Sequence, residues 1–127
     1  MDKITIGVDI ENISKFVDLK EIEDKKFLQK IFTDLEISHC FQKIYPAQHL
    51  AARFAAKEAI MKAYNSITGN TLSLSDIEVK NEIDGKPTVC IKKDVNSNMD
   101  ILLSISHNDD NAIAFAVIVK KNEVQKN

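Results

Sequence analysis

Apolar and polar positions alternate at the start of the chain, and the period then changes to that of a helix. Residues 3 to 10 alternate, which predicts a strand with two faces, one formed by Ile4, Ile6, Val8 and Ile10 and the other by Thr5, Gly7 and Asp9. Helical spacing follows at residues 12 to 19 and 24 to 32. The segment Thr33-Asp34-Leu35-Glu36 has the form of a capping box, so another short helix is expected to begin at Thr33.

The longest helical segment begins after Pro46 and runs from residue 47 to about 68, where Gly69 ends it. Apolar side chains cover almost its whole circumference, which is typical of a buried helix. We therefore expect this helix to be the centre of the domain.

The second half of the chain has strand periodicity. A hairpin is predicted from residues 76 to 83 and 86 to 92, around the Asp84-Gly85 turn, and a second pair of strands from 100 to 107 and 112 to 120. The last strand has a small-residue face (Ala112, Ala114, Ala116) and a large-residue face, and both are expected to be buried, the small one by another element or another subunit. The predicted class is α+β, an antiparallel sheet packed on a long buried helix, in one domain of residues 1 to 120 followed by a polar tail of residues 121 to 127.

Composition and charge narrow the range of functions. The 127 residues, 44% hydrophobic and 28% charged, suffice for one globular domain. Apolar runs stay below the ~18 residues that span a bilayer, and the N-terminus lacks a signal-peptide pattern, so a cytoplasmic protein without membrane contact is expected. The net charge of −2 argues against nucleic-acid binding. Cys40 and Cys90 stand singly, which favours structural thiols.

Glu58 is the first candidate for chemistry, because its neighbours on the helical wheel (Ala51, Phe54 and Met61) are apolar. An ionised carboxylate in such surroundings is costly unless it is paired or bound to a cation. Two interpretations are open, namely a helix ion pair with Lys62 one turn later or coordination of a metal ion.

Asp9 is the second candidate, because aspartate is disfavoured in strands and Gly7 on the same face permits close approach of another element. Together with Glu58, Asp9 could form an Mg2+ site of the kind that uses one or two carboxylates, water and substrate phosphates. The alternative is that Asp9 caps the helix predicted near Asn12.

Basic residues on the long helix are further candidates for the site. Arg53 and Lys57 lie four residues apart on one face, and Lys62 follows Glu58 by one turn. A solvated face is the usual explanation for charges on a helix, but on an otherwise apolar helix this arrangement also indicates a phosphate-binding surface. His107 ends the apolar strand of residues 101 to 106, where a histidine is either structural or part of a site.

Read in order, these features resemble the holo-acyl-carrier-protein synthases, the short single-unit members of the 4'-phosphopantetheinyl transferase superfamily. Residues 53 to 63 (RFAAKEAIMKA) are similar to the signature helix of that family, and residues 6 to 10 (IGVDI) resemble its glycine-x-aspartate strand. Residues 32 to 36, 85 to 87 and 105 to 107 fit further family segments, and the resemblance covers residues 4 to about 119.

The resemblance implies that the chain transfers the 4'-phosphopantetheine arm of coenzyme A to a serine of an apo acyl carrier protein and releases adenosine 3',5'-bisphosphate. The carrier could belong to fatty-acid, polyketide or another biosynthetic pathway. The resemblance also implies a homotrimer with shared sites, because larger members of the superfamily contain two copies of this unit and this chain contains one.

Roles for individual residues follow from the same resemblance. Asp9 and Glu58 would hold Mg2+, and Glu58 or a metal-bound water would help to deprotonate the serine. Lys62 would stabilise charge on the bridging phosphates. The remaining contacts to coenzyme A would come from Arg53, Lys57 and His107.

Four features depart from the family pattern. Asn12 stands where an acidic residue is common, Asn108 follows the histidine in place of a hydroxyl or acidic residue, and residues 64 to 69 replace a glycine-rich stretch. Residues 15 to 30, which would face the acidic carrier, are only weakly basic. Carrier recognition is therefore expected to be narrower, weaker or more hydrophobic than is common.

Two other classes of protein remain open at this point. An RNase H-like nuclease can also begin with a glycine-x-aspartate strand, but it needs additional carboxylates late in the chain to hold two metals, and only a short polar tail follows Val119. A non-catalytic oligomeric module that binds a nucleotide would use Asp9 and Glu58 only structurally. An assay for added mass on an apo carrier separates the transferase from both.

Overall fold

The computed structural model describes residues 1–92 and 98–122. Within these ranges the elements are β1 (Lys3–Asn12), a 3-10 helix (Ile13–Phe16), α1 (Lys25–Gln29), α2 (Asp34–Phe41), α3 (Pro46–Thr68), a second 3-10 helix (Leu74–Asp76), β2 (Ile77–Asn81), β3 (Pro87–Ile91), β4 (Met99–His107) and β5 (Asn111–Lys120). The predicted α+β class is confirmed.

Helix α3 is the centre of the fold, as expected from its apolar circumference. Pro46 lies at its start, where a missing amide costs no helical hydrogen bond. Gly69 ends it in the left-handed conformation, with a φ of 76°. Ten of its 23 residues are buried.

Two antiparallel sheets surround this helix. One has the strand order β1-β5-β4, and the other is the β2-β3 hairpin. Strand β1 runs close beneath α3, with the Thr5 hydroxyl donating to the Ala63 carbonyl at 2.8 Å. A Cβ added at Gly7 would lie 2.0 Å from the Ala59 carbonyl oxygen, so only glycine permits this approach.

The helix covers one face of the three-stranded sheet and leaves the other open. Ala112, Ala114 and Ala116 on β5 are fully buried, and the latter two pack with the alanines of α3. Of the two partners expected for this small-residue face, another element is the one observed and another subunit is not, because the chain's own helix occupies the face. The expectation that both faces are buried is wrong within one chain, because large apolar residues of the opposite face are exposed: Ile4, Ile6, Val8, Ile10, Ile113 and Phe115.

The helices before α3 agree in part with prediction. The capping box at Thr33 is confirmed, with Thr33 N donating to Glu36 Oε1 at 2.8 Å and Glu36 N donating to Thr33 Oγ1 at 3.3 Å. The helices expected at residues 12 to 19 and 24 to 32 are shorter in the structure. One reason is that Asp24 accepts a hydrogen bond from the Lys20 amide at 2.7 Å, which favours a turn there.

The polar tail predicted for residues 121 to 127 lies largely outside the described residues. Among the described residues, none of the helices is both long enough and apolar enough to cross a membrane.

Candidate active site

Asp9 and Lys62 meet at the edge of α3. Asp9 follows Gly7 by two residues on the helix-facing side of β1, and its side chain is 14% exposed. Lys62 Nζ lies 3.3 Å from Asp9 Oδ1 and donates to the Val8 carbonyl at 2.9 Å. The second carboxylate oxygen, Asp9 Oδ2, is buried and has no hydrogen-bond donor among the described residues. An acceptor in this state is suited to a cation.

A second carboxylate raises the proton affinity of Asp9. Burial raises the pKa of Asp9 to about 6, the nearby Glu11 carboxylate adds to the rise, and Lys62 opposes it. Glu11 is itself 8% exposed and forms an ion pair with Lys15 at 3.1 Å. Sequence reasoning missed Glu11, although the alternation of β1 places it on the same face as Asp9.

Glu58 lies on the same flank of α3, because it precedes Lys62 by one helical turn. The helix pair that was open as an alternative is not formed in the described part of the chain, since Lys62 bonds to β1 instead. The alternative role for Asp9 is not observed either, because Asp9 lies within β1 and Asn12 occupies the N-cap position.

Asp9, with an oxygen that lacks a donor among the described residues, is a candidate ligand for a magnesium ion that keeps some of its water. Described residues provide no group of three or more His, Cys, Asp or Glu side chains that could hold a metal. Asp9 and Glu58 would supply two carboxylates, and Mg2+ commonly completes its shell with water and substrate phosphates.

Lys57 has a structural role, which revises its expected role at a phosphate. Its side chain is fully buried and lies 2.6 Å from Glu36 Oε1. It also donates to the carbonyls of Leu74 and Ile77. Burial lowers the pKa of Lys57, and the Glu36 carboxylate opposes that shift. An ammonium group with three internal partners and no exposed surface is not available to a ligand.

Arg53 and His107 lie together at a cavity of about 610 Å³. Arg53 is 5% exposed and donates through Nη2 to Asn81 Oδ1 at 2.6 Å, while its Nε is buried without a partner among the described residues. The Nε2 atom of His107 is 3.0 Å from Gln48 Nε2. Sequence reasoning missed Gln48, since a polar residue in the first turns of a helix carries no distinctive signal.

These residues form two half-sites on different sides of α3. Asp9 and Lys62 lie beside β1, at one edge of the sheet. His107 lies on β4 at the other edge, and Arg53 contacts β2 beyond it. With β5 between them, β1 and β4 are about 10 Å apart. The described chain therefore does not bring all the predicted site residues into one pocket.

A third feature is an apolar groove of about 480 Å³ at the start of α3. Its lining includes Phe16, Val17 and Leu19 on one side and Tyr45 and Pro46 on the other. The groove adjoins the weakly basic segment that was expected to face a carrier.

The Asp9 carboxylate beside Lys62 and the separate cavity that contains Arg53 are features that an enzyme of phosphorylated substrates could use. A sequence profile of the 4'-phosphopantetheinyl transferase superfamily matches residues 5–116. The chain belongs to this superfamily and, within it, to the holo-acyl-carrier-protein synthases. The RNase H-like alternative is thereby set aside.

Relatives and solved structures agree with this assignment. A holo-acyl-carrier-protein synthase of Thermodesulfovibrio yellowstonii is 45% identical over 113 residues, covering 89% of this chain and 96% of the relative. The complex of ACPS with CoA from Chronobacterium ammoniagenes has a TM-score of 0.76 and 27% identity, over 94% of this chain and 99% of that one. A holo-acyl-carrier-protein synthase of Bacillus anthracis in complex with CoA (3',5'-ADP) has a TM-score of 0.70 and 30% identity, over 92% and 96%.

Proposed function

We propose that the chain transfers the 4'-phosphopantetheine arm of coenzyme A to a serine of an apo acyl carrier protein in an Mg2+-dependent reaction. The serine oxygen bonds to the β-phosphorus, the bond from that phosphorus to the bridging oxygen breaks, and adenosine 3',5'-bisphosphate leaves. The observation that carries the proposal is the buried, unsatisfied Asp9 oxygen beside Lys62, in a chain whose relatives include coenzyme A complexes.

The residues of the first half-site have complementary tasks. Asp9 and Glu58 would hold Mg2+, which neutralises pyrophosphate charge when it is bound. Lys62, whose side chain is 55% exposed, can leave Asp9 and follow the bridging phosphates. Glu58 would accept the serine proton, directly or through water.

The second half-site would bind the rest of coenzyme A. Arg53 and His107 would contact coenzyme A there, whereas Lys57 would not, because its side chain is fully buried. Because the two half-sites lie on different sides of α3, a complete site requires a second copy of the chain. This separation, and the exposed apolar face of the three-stranded sheet, support a homotrimer with sites between neighbours.

The carrier would dock at the start of α3, next to the second half-site, through apolar contact more than through charge. The groove lined by Phe16, Val17 and Leu19 offers a volume of about 480 Å³ for an apolar side chain of the carrier. Basic and acidic residues are mixed in residues 15 to 30, so electrostatic attraction to an acidic carrier is small.

Intact-protein mass spectrometry tests the proposal directly. Incubation with coenzyme A, Mg2+ and an apo carrier should add the mass of one phosphopantetheine arm to the carrier. A carrier with its serine changed to alanine is the control and should gain none. No gain of mass with any of several apo carriers, together with binding of coenzyme A, would favour the non-catalytic nucleotide-binding module instead.

A further inference from the structure

All three histidines of the sequence face the cavity that contains Arg53. His39 comes from α2, His49 from the first turns of α3, and His107 from the end of β4. The rings of His39 and His49 are 6.5 Å apart and meet edge to face at 78°. Three elements thus place imidazoles at one concave surface, and neither His39 nor His49 has a role in the transfer mechanism.

The charges around these histidines favour an anion. Lys43 and Arg53 line the cavity, and neither forms an ion pair with a carboxylate in the described part of the chain. Glu82 is the acidic group that faces the same space, and its Oε1 accepts a hydrogen bond from Thr88 Oγ1 at 3.2 Å. Arg53 is buried, and its Nε has no hydrogen-bond partner in the part of the chain that the structure describes. A buried cation with unused hydrogen-bonding capacity is an indication of a built anion site.

We propose that His39 and His49 take up protons when a phosphate monoester enters this cavity, so that the cavity binds the phosphate-bearing nucleotide end of coenzyme A more tightly as the pH falls. The inference rests on the function proposed above. It adds that binding is linked to proton uptake by His39 and His49, which have no other role in the proposed reaction.

The physical reason is a change in the surroundings of the two imidazoles. Burial lowers the pKa of His39, and repulsion from Arg53 and Lys43 lowers it further. Burial also lowers the pKa of His49, to which the same two cations, His39 and His107 contribute. Both shifts favour the neutral form of the rings in the free cavity. A phosphate dianion offsets the cations and accepts hydrogen bonds, which favours the imidazolium form.

Linkage makes this effect measurable. If binding increases proton uptake, then lowering the pH must increase affinity by the same thermodynamic coupling. Glu82 attracts the protonated rings with and without the ligand, so it does not cancel the difference. Protonation of the phosphate itself, whose second pKa is about 6, opposes the trend only at the acidic end.

Calorimetric titration of the full-length protein with adenosine 3',5'-bisphosphate at pH 8, 7 and 6 tests the proposal. Affinity should rise by about tenfold over this range. Titrations in two buffers of different ionisation enthalpy should show net proton uptake. Adenosine, which has no phosphate, should show neither effect.

Matched variants assign the protons to particular residues. The double change His39→Gln and His49→Gln keeps hydrogen bonding and should remove both the pH dependence and the proton uptake. Lys43→Gln removes a cation that lowers the pKa of both rings, so it should lower affinity and move the pH dependence to higher pH without abolishing it. The histidine ring signals of the wild-type protein in NMR provide a measurement that needs no variant, and those of His39 and His49 should shift toward the protonated form on binding.

Several results would overturn the inference. They are binding without proton uptake, an unchanged pH dependence in the double variant, or histidine signals that stay neutral in the complex. If a carrier still gains mass in the transfer assay, these results reject the proton-linked cavity and leave the proposed function intact. Absence of both mass gain and bisphosphate binding would instead reject the proposed function.

Discussion

Asp9 is both largely buried and incompletely hydrogen-bonded, a combination that is unusual in a protein interior. Its carboxylate is mostly covered, and one of its oxygens has no donor among the described residues. A buried acceptor that stays unsatisfied costs about 1–3 kcal/mol, so its presence at a strand edge beside Lys62 is best explained by a cation that binds during function.

Substitution of the two carboxylates tests that explanation. Glu58→Gln and Asp9→Asn keep the side-chain volumes but remove the charges expected to hold Mg2+, so each should lower turnover about a hundredfold or more, with only partial recovery at high Mg2+. The double variant should be little worse than either single one, because the residues act as a unit. Turnover and Mn2+ binding should be measured together. Near-normal turnover by a folded Glu58→Gln protein would reject the mechanism.

The raised pKa of Asp9 predicts a pH dependence for metal binding. Only the ionised carboxylate binds a cation, and with a pKa of about 6 the ionised fraction falls about tenfold per pH unit well below that value. Apparent Mn2+ affinity, measured by electron paramagnetic resonance, should therefore rise with pH up to about 6 and then level off. Glu11→Gln removes a charge that raises the pKa and should move the midpoint to lower pH. An unchanged midpoint in that variant would contradict the role assigned to Glu11.

Among the elements, the contact of β1 with α3 depends on Gly7. The added Cβ would meet the Ala59 carbonyl at 2.0 Å and the Ala63 amide nitrogen at 3.1 Å, both of them backbone atoms. Gly7→Ala should therefore lower the free energy of unfolding by about 3 kcal/mol, at the upper end for overpacking. Chemical denaturation measures this loss. Gly85→Ala, at a positive φ but with open space around it, is the control and should cost about 1 kcal/mol; equal losses would argue against the close approach.

The buried pair of Lys57 and Glu36 connects three elements. Glu36 Oε2 accepts the Val79 amide at 2.9 Å, so one carboxylate links α2, α3 and β2. Lys57→Met should cost about 3–5 kcal/mol of stability, because it leaves a buried charge unpaired. The double change with Glu36→Gln should recover part of this loss. Turnover per folded molecule should stay near normal, whereas a defect confined to coenzyme A binding would restore the phosphate role.

At this scale the sequence predicted most elements but not their partners. The capping box at Thr33 and the boundaries of α3 follow from local residue patterns, and both are confirmed. The sequence predicted the wrong role for Lys57. Its neighbours along the helix can be inferred from residue spacing, whereas its pairing with Glu36 on another helix cannot. Pairing between distant segments depends on tertiary packing, and local periodicity carries no information about it.

At the scale of the whole molecule, local periodicity likewise predicts the two faces of the sheet but not which of them is buried. Alternation correctly separates Ile6 from Gly7 on β1, and it correctly separates the small and large faces of β5. It does not say which face the helix covers. That choice is decided by the close approach at Gly7 and by the alanines of both elements, so the larger apolar side chains are left facing outward.

The outward face therefore gives the final prediction, that the chain assembles through it. Ile6 is 61% exposed and Phe115 is 43% exposed on neighbouring strands, and an apolar surface of this kind usually marks an interface. Light scattering at micromolar concentration should give three times the 14.3 kDa of one chain. Ile6→Lys with Phe115→Lys should give monomers that keep their circular dichroism but lose transfer activity, because the proposed site is shared between neighbours. Ile22→Lys, at an exposed position away from this sheet, should leave the mass unchanged. A wild-type monomer, or full activity in the monomeric variant, would refute the shared site.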